Sequence, residues 1–259
     1  MSWMLQLGAL ACLCAFADTK PQSPEVETVL KLVDAGNLPG ATKYLEELPP
    51  PAAAQTANDA MTKLYWEHKD LASAMALAKA TIDRSLKAAE GLKPKDPKAA
   101  EELLGALKPV AYNLASFTWP GWGEPNITIT EEDAKQGLEA ARLNLRLAQE
   151  LKRNDHALSQ AHWLLGAHLL AQKSDTEPAE AFREAAKRAS AAGKRSEELL
   201  SRGYLQIVAL LQSPTDSSAA SELEHIEKEL LKLEEGKELV DQLNTARKTL
   251  EPLRNQALH

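Results

Sequence analysis

The feature that most constrains this chain is a turn that comes back. Gly36-Asn37-Leu38-Pro39-Gly40-Ala41 returns as Lys69-Asp70-Leu71-Ala72-Ser73-Ala74 at an offset of 33 residues, with Asn37 matching Asp70, Leu38 matching Leu71 and Ala41 matching Ala74. A weaker echo follows at Ser174-Asp175-Thr176-Glu177-Pro178-Ala179. A period of this size holds two helices and their turns, and such units bury their apolar faces only by stacking on one another. The chain therefore reads as all-α: an α-solenoid of antiparallel helix pairs, about eleven helices long, closed by a C-terminal capping helix.

Apolar spacing and breakers place the helices. The first five are expected at 23–35, 41–48, 52–68, 71–91 and 98–117, with Pro109 a candidate bend. Asp96 and Pro97 have the look of an N-cap and a first helical residue, and Thr130 with Asp133 that of a capping box. Further helices are expected at 130–153, 154–172, 177–191 and 196–211, and the tail from Ser217 splits at Gly236. Leu223, Ile226, Leu230 and Leu233 step by three and four residues along one helix face. No strand is expected, because Ile127-Thr128-Ile129 is too short to carry a sheet.

Composition agrees with helices packed on helices. Aromatic residues are only 5% of the chain, while alanine, the best helix former, is abundant and allows close helix contacts. The net charge of −7 argues against nucleic acid, whose binding needs clustered cations to displace counterions. The basic run of Lys187, Arg188, Lys194 and Arg195 reads as solvated helix face.

The N-terminus has the form of an export signal. Residues 1–17 carry no charged side chain, the run from Trp3 to Phe16 is apolar, and Ala15-Phe16-Ala17 suits cleavage before Asp18. The run is too short for a comfortable membrane span. The expected mature chain, 18–259, is secreted or periplasmic and keeps neither Cys12 nor Cys14. It would hold no disulfide, thiol nucleophile or cysteine metal site. A lipidated N-terminus at one of those cysteines is the lesser alternative.

The helix pairs resemble tetratricopeptide (TPR) repeats. Trp163 falls at that family's large position, Gly166 and Ala167 at and beside its close-contact position, and Leu170 follows on the same face. Ala179 and Ala186 fall at its small positions in the second helix. Met61, Tyr65, Asp70, Leu71, Ala74 and Ala78 give a second match, and Gly36, Asn37, Leu38, Ala41 and Leu45 a third. The resemblance implies a groove, built from the first helices of the pairs, that holds a peptide or a partner domain. The family's peptide-carboxylate clamp does not map onto this chain.

Signatures of chemistry are missing. His156, His162 and His168 recur every six residues, a rotation of about 600° that points them in three directions rather than at one metal. Adjacent acids such as Glu131-Glu132, Glu197-Glu198 and Glu234-Glu235 do not face one site, and they read as solvation and helix-dipole matching. The sequence offers no nucleophile elbow, phosphate loop or dinucleotide fingerprint. No catalytic residue, cofactor or metal is expected.

One insertion breaks the pattern, at 118–130. It contains Trp119-Pro120-Gly121-Trp122-Gly123-Glu124-Pro125 and, at Asn126-Ile127-Thr128, an N-glycosylation acceptor pattern. Trp119 and Trp122 are the candidate binding residues, since tryptophan on a stiffened loop suits recognition. The expected function is an exported, non-enzymatic protein–protein interaction scaffold with a TPR-like groove and a protein or peptide partner. The alternative is a carbohydrate- or small-ligand-binding module centred on 119–129. That alternative needs both rings accessible in one cleft.

Overall fold

The computed structural model describes residues 23–172 and 177–255. The expected export signal, with Cys12 and Cys14, lies outside the described residues, as do Ser174, Asp175 and Thr176 of the third turn. Eleven α-helices run in order: α1 (Pro24–Asp34), α2 (Leu38–Glu47), α3 (Pro50–Trp66), α4 (Leu71–Leu92), α5 (Pro97–Phe117), α6 (Glu131–Glu150), α7 (Asp155–Ala171), α8 (Glu177–Ala191), α9 (Arg195–Gln212), α10 (Ser217–Leu230) and α11 (Gly236–Asn255). No strand occurs among the described residues.

The recurring turn is a capping device used twice. Asn37 accepts from the Gly40 N–H at 3.0 Å to start α2, and Asp70 accepts from the Ser73 N–H at 2.9 Å to start α4. Each cap satisfies a donor that the first helical turn leaves without a partner. The residue before each cap is left-handed, Gly36 at φ +72° and Lys69 at φ +55°. That conformation ends the preceding helix. It suits glycine, and the lysine version is tied down by an ion pair to Glu124 at 2.7 Å.

Two proline effects refine the expected helix bounds. Pro50 and Pro51 open α3 instead of only ending α2, because proline's missing N–H costs nothing in a first turn. Pro109 lies inside α5 on its exposed side, where water can reach a carbonyl that has lost its partner.

Packing follows chain order. Each odd-numbered helix from α1 to α9 pairs with the next, and the second helix of each pair also lies against the first helix of the following one. This is the α-solenoid arrangement. Ala41, Ala54, Ala57, Ala60, Ala74 and Ala78 are all 0% exposed, so small residues let the N-terminal helices approach closely. One continuous core extends from Val26 to Leu250. In α8 the buried stripe is Pro178, Ala181, Phe182, Ala185 and Ala189, while Ala179 and Ala186 are only half-buried. The burial register is thus offset from the small positions that the resemblance implied, because Phe182 fills the space beside Gly166.

The first helices form one layer, but not an even one. Helix α3 packs directly on α5, whereas α5, α7 and α9 scarcely meet one another. The space between them is taken by the 118–130 segment. Its 3₁₀ turn, Pro120–Trp122, packs on α7 and reaches α11. A Cβ added at Gly123 would lie 3.2 Å from Thr245 Cγ2 on α11. Helix α11 buries Leu239, Leu243, Ala246 and Leu250 at helical spacing, and so caps both α9 and the inserted turn.

Candidate functional site

The sequence of the insertion explains how its two tryptophans diverge. Pro120 opens the 3₁₀ turn, and Gly123 closes it at φ +57°. The Trp119 indole then lies back across its own turn, so close that a Cβ at Gly121 would be 2.2 Å from the ring. Trp119 is 1% exposed, and its indole N–H donates to the Ala167 carbonyl of α7 at 3.0 Å. Trp122 is half-buried, and its N–H donates to the Ser116 carbonyl at the end of α5 at 2.7 Å. The two rings meet edge to face at 4.8 Å. They therefore do not share an accessible cleft: Trp119 is a wedge in the core, and Trp122 alone reaches the surface side.

Around Trp119 the aromatic residues interlock. Trp163 of α7 meets it at 5.5 Å, Tyr204 of α9 packs edge to face on Trp163 at 5.4 Å, and Phe182 of α8 stacks on Tyr204 at 5.0 Å. Tilted and edge-to-face pairs of this kind add to the area they bury. Burial also pushes the Tyr204 hydroxyl far above its usual range, so it remains a neutral packing group. The indole N–H of Trp163 is buried and finds no hydrogen-bond acceptor among the described residues.

In front of this cluster lies an open-mouthed recess of about 330 Å³, its mouth included. It is lined by Tyr112 of α5, Trp122 of the inserted turn, Gln160 and Trp163 of α7, and Glu197 and Ser201 of α9. The recess thus sits among the first helices α5, α7 and α9. Its enclosed part is only about 10 Å³, room for about one water, so the recess is a shallow feature of the surface.

Glu197 is the acidic member of this lining and is 7% exposed. A buried carboxylate is costly unless a donor satisfies it. His156 Nε2 lies 2.6 Å from Glu197 Oε1. Because a carboxylate only accepts, that nitrogen carries the proton. The Gln160 amide sits 3.2 Å from the same ring nitrogen. Sequence reasoning assigned Glu197-Glu198 to solvation, and the structure corrects half of that. Glu198 pairs with Arg195 at 2.8 Å, while Glu197 turns inward. The available signal was register, since Glu197 stands three, four and seven residues before Leu200, Ser201 and Tyr204, all buried.

The three histidines do point apart. His156 meets Glu197, and His162 is half-buried with burial lowering its pKa. His168 is fully buried, where its Nε2 donates to the Ala115 carbonyl at 2.7 Å. Loss of solvation drives the His168 pKa down to about 4, against the opposing pull of the carbonyls. Among the described residues no group of three acids or histidines is placed to hold a metal. No helix of the described residues is long and apolar enough to cross a membrane. Asn126 is exposed at the corner of the Glu124–Ile127 turn, at φ +66°.

Comparisons with protein-family models, with curated proteins and with solved structures give no match.

Proposed function

We propose that this protein is an exported, non-enzymatic scaffold that holds a segment of another polypeptide in a TPR-like groove. The observation that carries this reading is the recess on the first-helix layer, assembled from α5, α7, α9 and the inserted turn. Its lining sets the aromatic Tyr112, Trp122 and Trp163 beside the polar Ser159, Gln160, Glu197 and Ser201, a mixture that suits contact with a peptide. The lining offers one carboxylate, where hydrolysis of a glycosidic bond would call on two. The alternative, a carbohydrate-binding module gripping with Trp119 and Trp122 together, lacks the first of those rings at 1% exposure.

A random-peptide display selection against the parent protein and a Gln160→Trp variant tests the reading. Gln160 is half-buried on the lining, so an indole there fills the recess from its mouth. The expected result is a peptide family retained by the parent and lost by a variant of unchanged melting temperature. Peptides retained equally by both, or none enriched, would refute the groove as the site. Export is read separately: N-terminal sequencing of protein secreted by its source should begin at Asp18, and an intact Met1 would reject it.

A further inference from the structure

The inserted segment carries one motif that the recess does not use. We propose that Asn126 is a modification site, bearing an oligosaccharide linked through its side-chain amide nitrogen. This rests on the export reading above, because such glycans are added to exported chains, and it is independent of what the recess binds.

The acceptor pattern is Asn126-Ile127-Thr128, and no other asparagine of the chain is followed two residues on by serine or threonine. Spacing alone is a weak signal; the fold adds placement. Glu124 to Ile127 make a tight turn, closed by the Ile127 N–H donating to the Glu124 carbonyl at 3.3 Å. Pro125 takes the second place of that turn, where its fixed φ is an advantage. Asn126 takes the third place at φ +66°, a left-handed conformation that asparagine accepts more readily than most residues. The turn thus carries Asn126 exposed at its corner. Beyond it exposure alternates. Ile127 and Ile129 are half-buried against the core, while Thr128 is exposed. The amide that takes the sugar and the hydroxyl that marks it both lie on the solvent side, and the residue between them anchors the segment.

The segment is braced on both flanks. Glu124 pairs with Lys69 at 2.7 Å, and the Trp122 indole N–H donates to the Ser116 carbonyl. Downstream, Thr130 and Asp133 close the capping box of α6. A bulky, hydrated glycan on Asn126 therefore extends outward without displacing a buried contact. The transfer needs no oxidant or reductant. Asn126 Nδ2 forms a C–N bond to the anomeric carbon of an oligosaccharide carried on a lipid diphosphate. The C–O bond to the diphosphate breaks, the amide gives up one proton, and the lipid diphosphate leaves. An oligosaccharide transferase performs the step, and this chain supplies only the acceptor.

Mass spectrometry of the protein purified from its source is the test. The tryptic peptide that contains Asn126 is weighed before and after treatment with peptide N-glycosidase, beside Thr128→Ala and Thr128→Ser variants expressed in the same source. The expected result is a peptide heavier than its sequence by one oligosaccharide, released by the enzyme with conversion of that asparagine to aspartate. The added mass should be lost in Thr128→Ala and kept in Thr128→Ser. Both variants leave Asn126 and its turn in place, and melting temperatures equal to the parent's show that the loss is one of recognition rather than folding. A processed N-terminus with the peptide at its unmodified mass overturns the glycan and leaves export standing. An intact Met1 with an unmodified peptide removes both. Added mass that persists in Thr128→Ala overturns the assignment to this motif.

Discussion

Replacing Trp119 by alanine tests whether the insertion is a structural wedge. The ring is 1% exposed and contacts Trp122, Trp163 and Tyr204. Deleting a buried tryptophan removes about 200 Å² of apolar contact, on the order of 4 kcal/mol with the cavity it leaves. Loss of the bond to the Ala167 carbonyl adds about 1 kcal/mol. At this chain length each kcal/mol moves the melting temperature by about 2–4 °C. Trp119→Ala should therefore melt about 10–20 °C below the parent, followed by far-UV circular dichroism. Trp122→Ala, which removes a half-buried ring, should lose about half as much. A Trp119→Ala protein that melts within about 3 °C of the parent would refute the wedge, as would equal losses from the two variants.

Other expectations follow from single contacts. Gly137→Ala places a Cβ 2.2 Å from Thr118 Oγ1 and 2.3 Å from His168 Cε1, so it should cost about 1–3 kcal/mol by overpacking despite alanine's better helix propensity, as read by urea unfolding. His168 gives a pH signature. Its pKa falls from 6.5 to about 4 on burial, so between those values the unfolded chain binds a proton that the folded chain refuses. Stability should be unaffected by this group above about pH 6.5 and fall by on the order of 3 kcal/mol on the way to pH 4. The parent's stability curve should be steeper over that window than that of His168→Gln, and identical slopes would reject the assignment. Asp70→Ala removes the cap on Ser73 N–H and should cost about 1 kcal/mol. An unchanged unfolding midpoint would show that α4 does not need it.

The fold was legible because its signals are local. Asn37 and Asp70 announce helix starts by the chemistry of their own side chains, and Gly236 marks the break before α11. The Leu223-Ile226-Leu230 seam needs nothing beyond helical spacing. The site was less legible because it is made of distant pieces. Tyr112, Trp122, Gln160 and Glu197 come from four segments, and no spacing in the chain brings them together. Trp119 and Trp122 have the same residue type and nearly the same place, yet only the return of the Trp119 ring over Gly121 sends one inward. Glu197 was hidden by its neighbour: an acidic pair looks solvated until the register with Leu200 and Tyr204 is taken into account.

The packing of the inserted 3₁₀ turn against α11 changes what kind of object the array is. A stack of helix pairs that touch only their sequence neighbours behaves as a one-dimensional chain, able to fray from either end and to tolerate loss of terminal units. Here the inserted turn leaves from α5 and meets α11, half a chain away. It works as a clip across the intervening pairs and joins them into one cooperative block. The α7 to α10 region cannot open from the C-terminus without also undoing the turn that follows α5, and the late closure of so long a loop should set the pace of folding. Truncation before α11 would then remove more than a lid, because the stretch from the inserted turn onward would lose the partner that holds it in register.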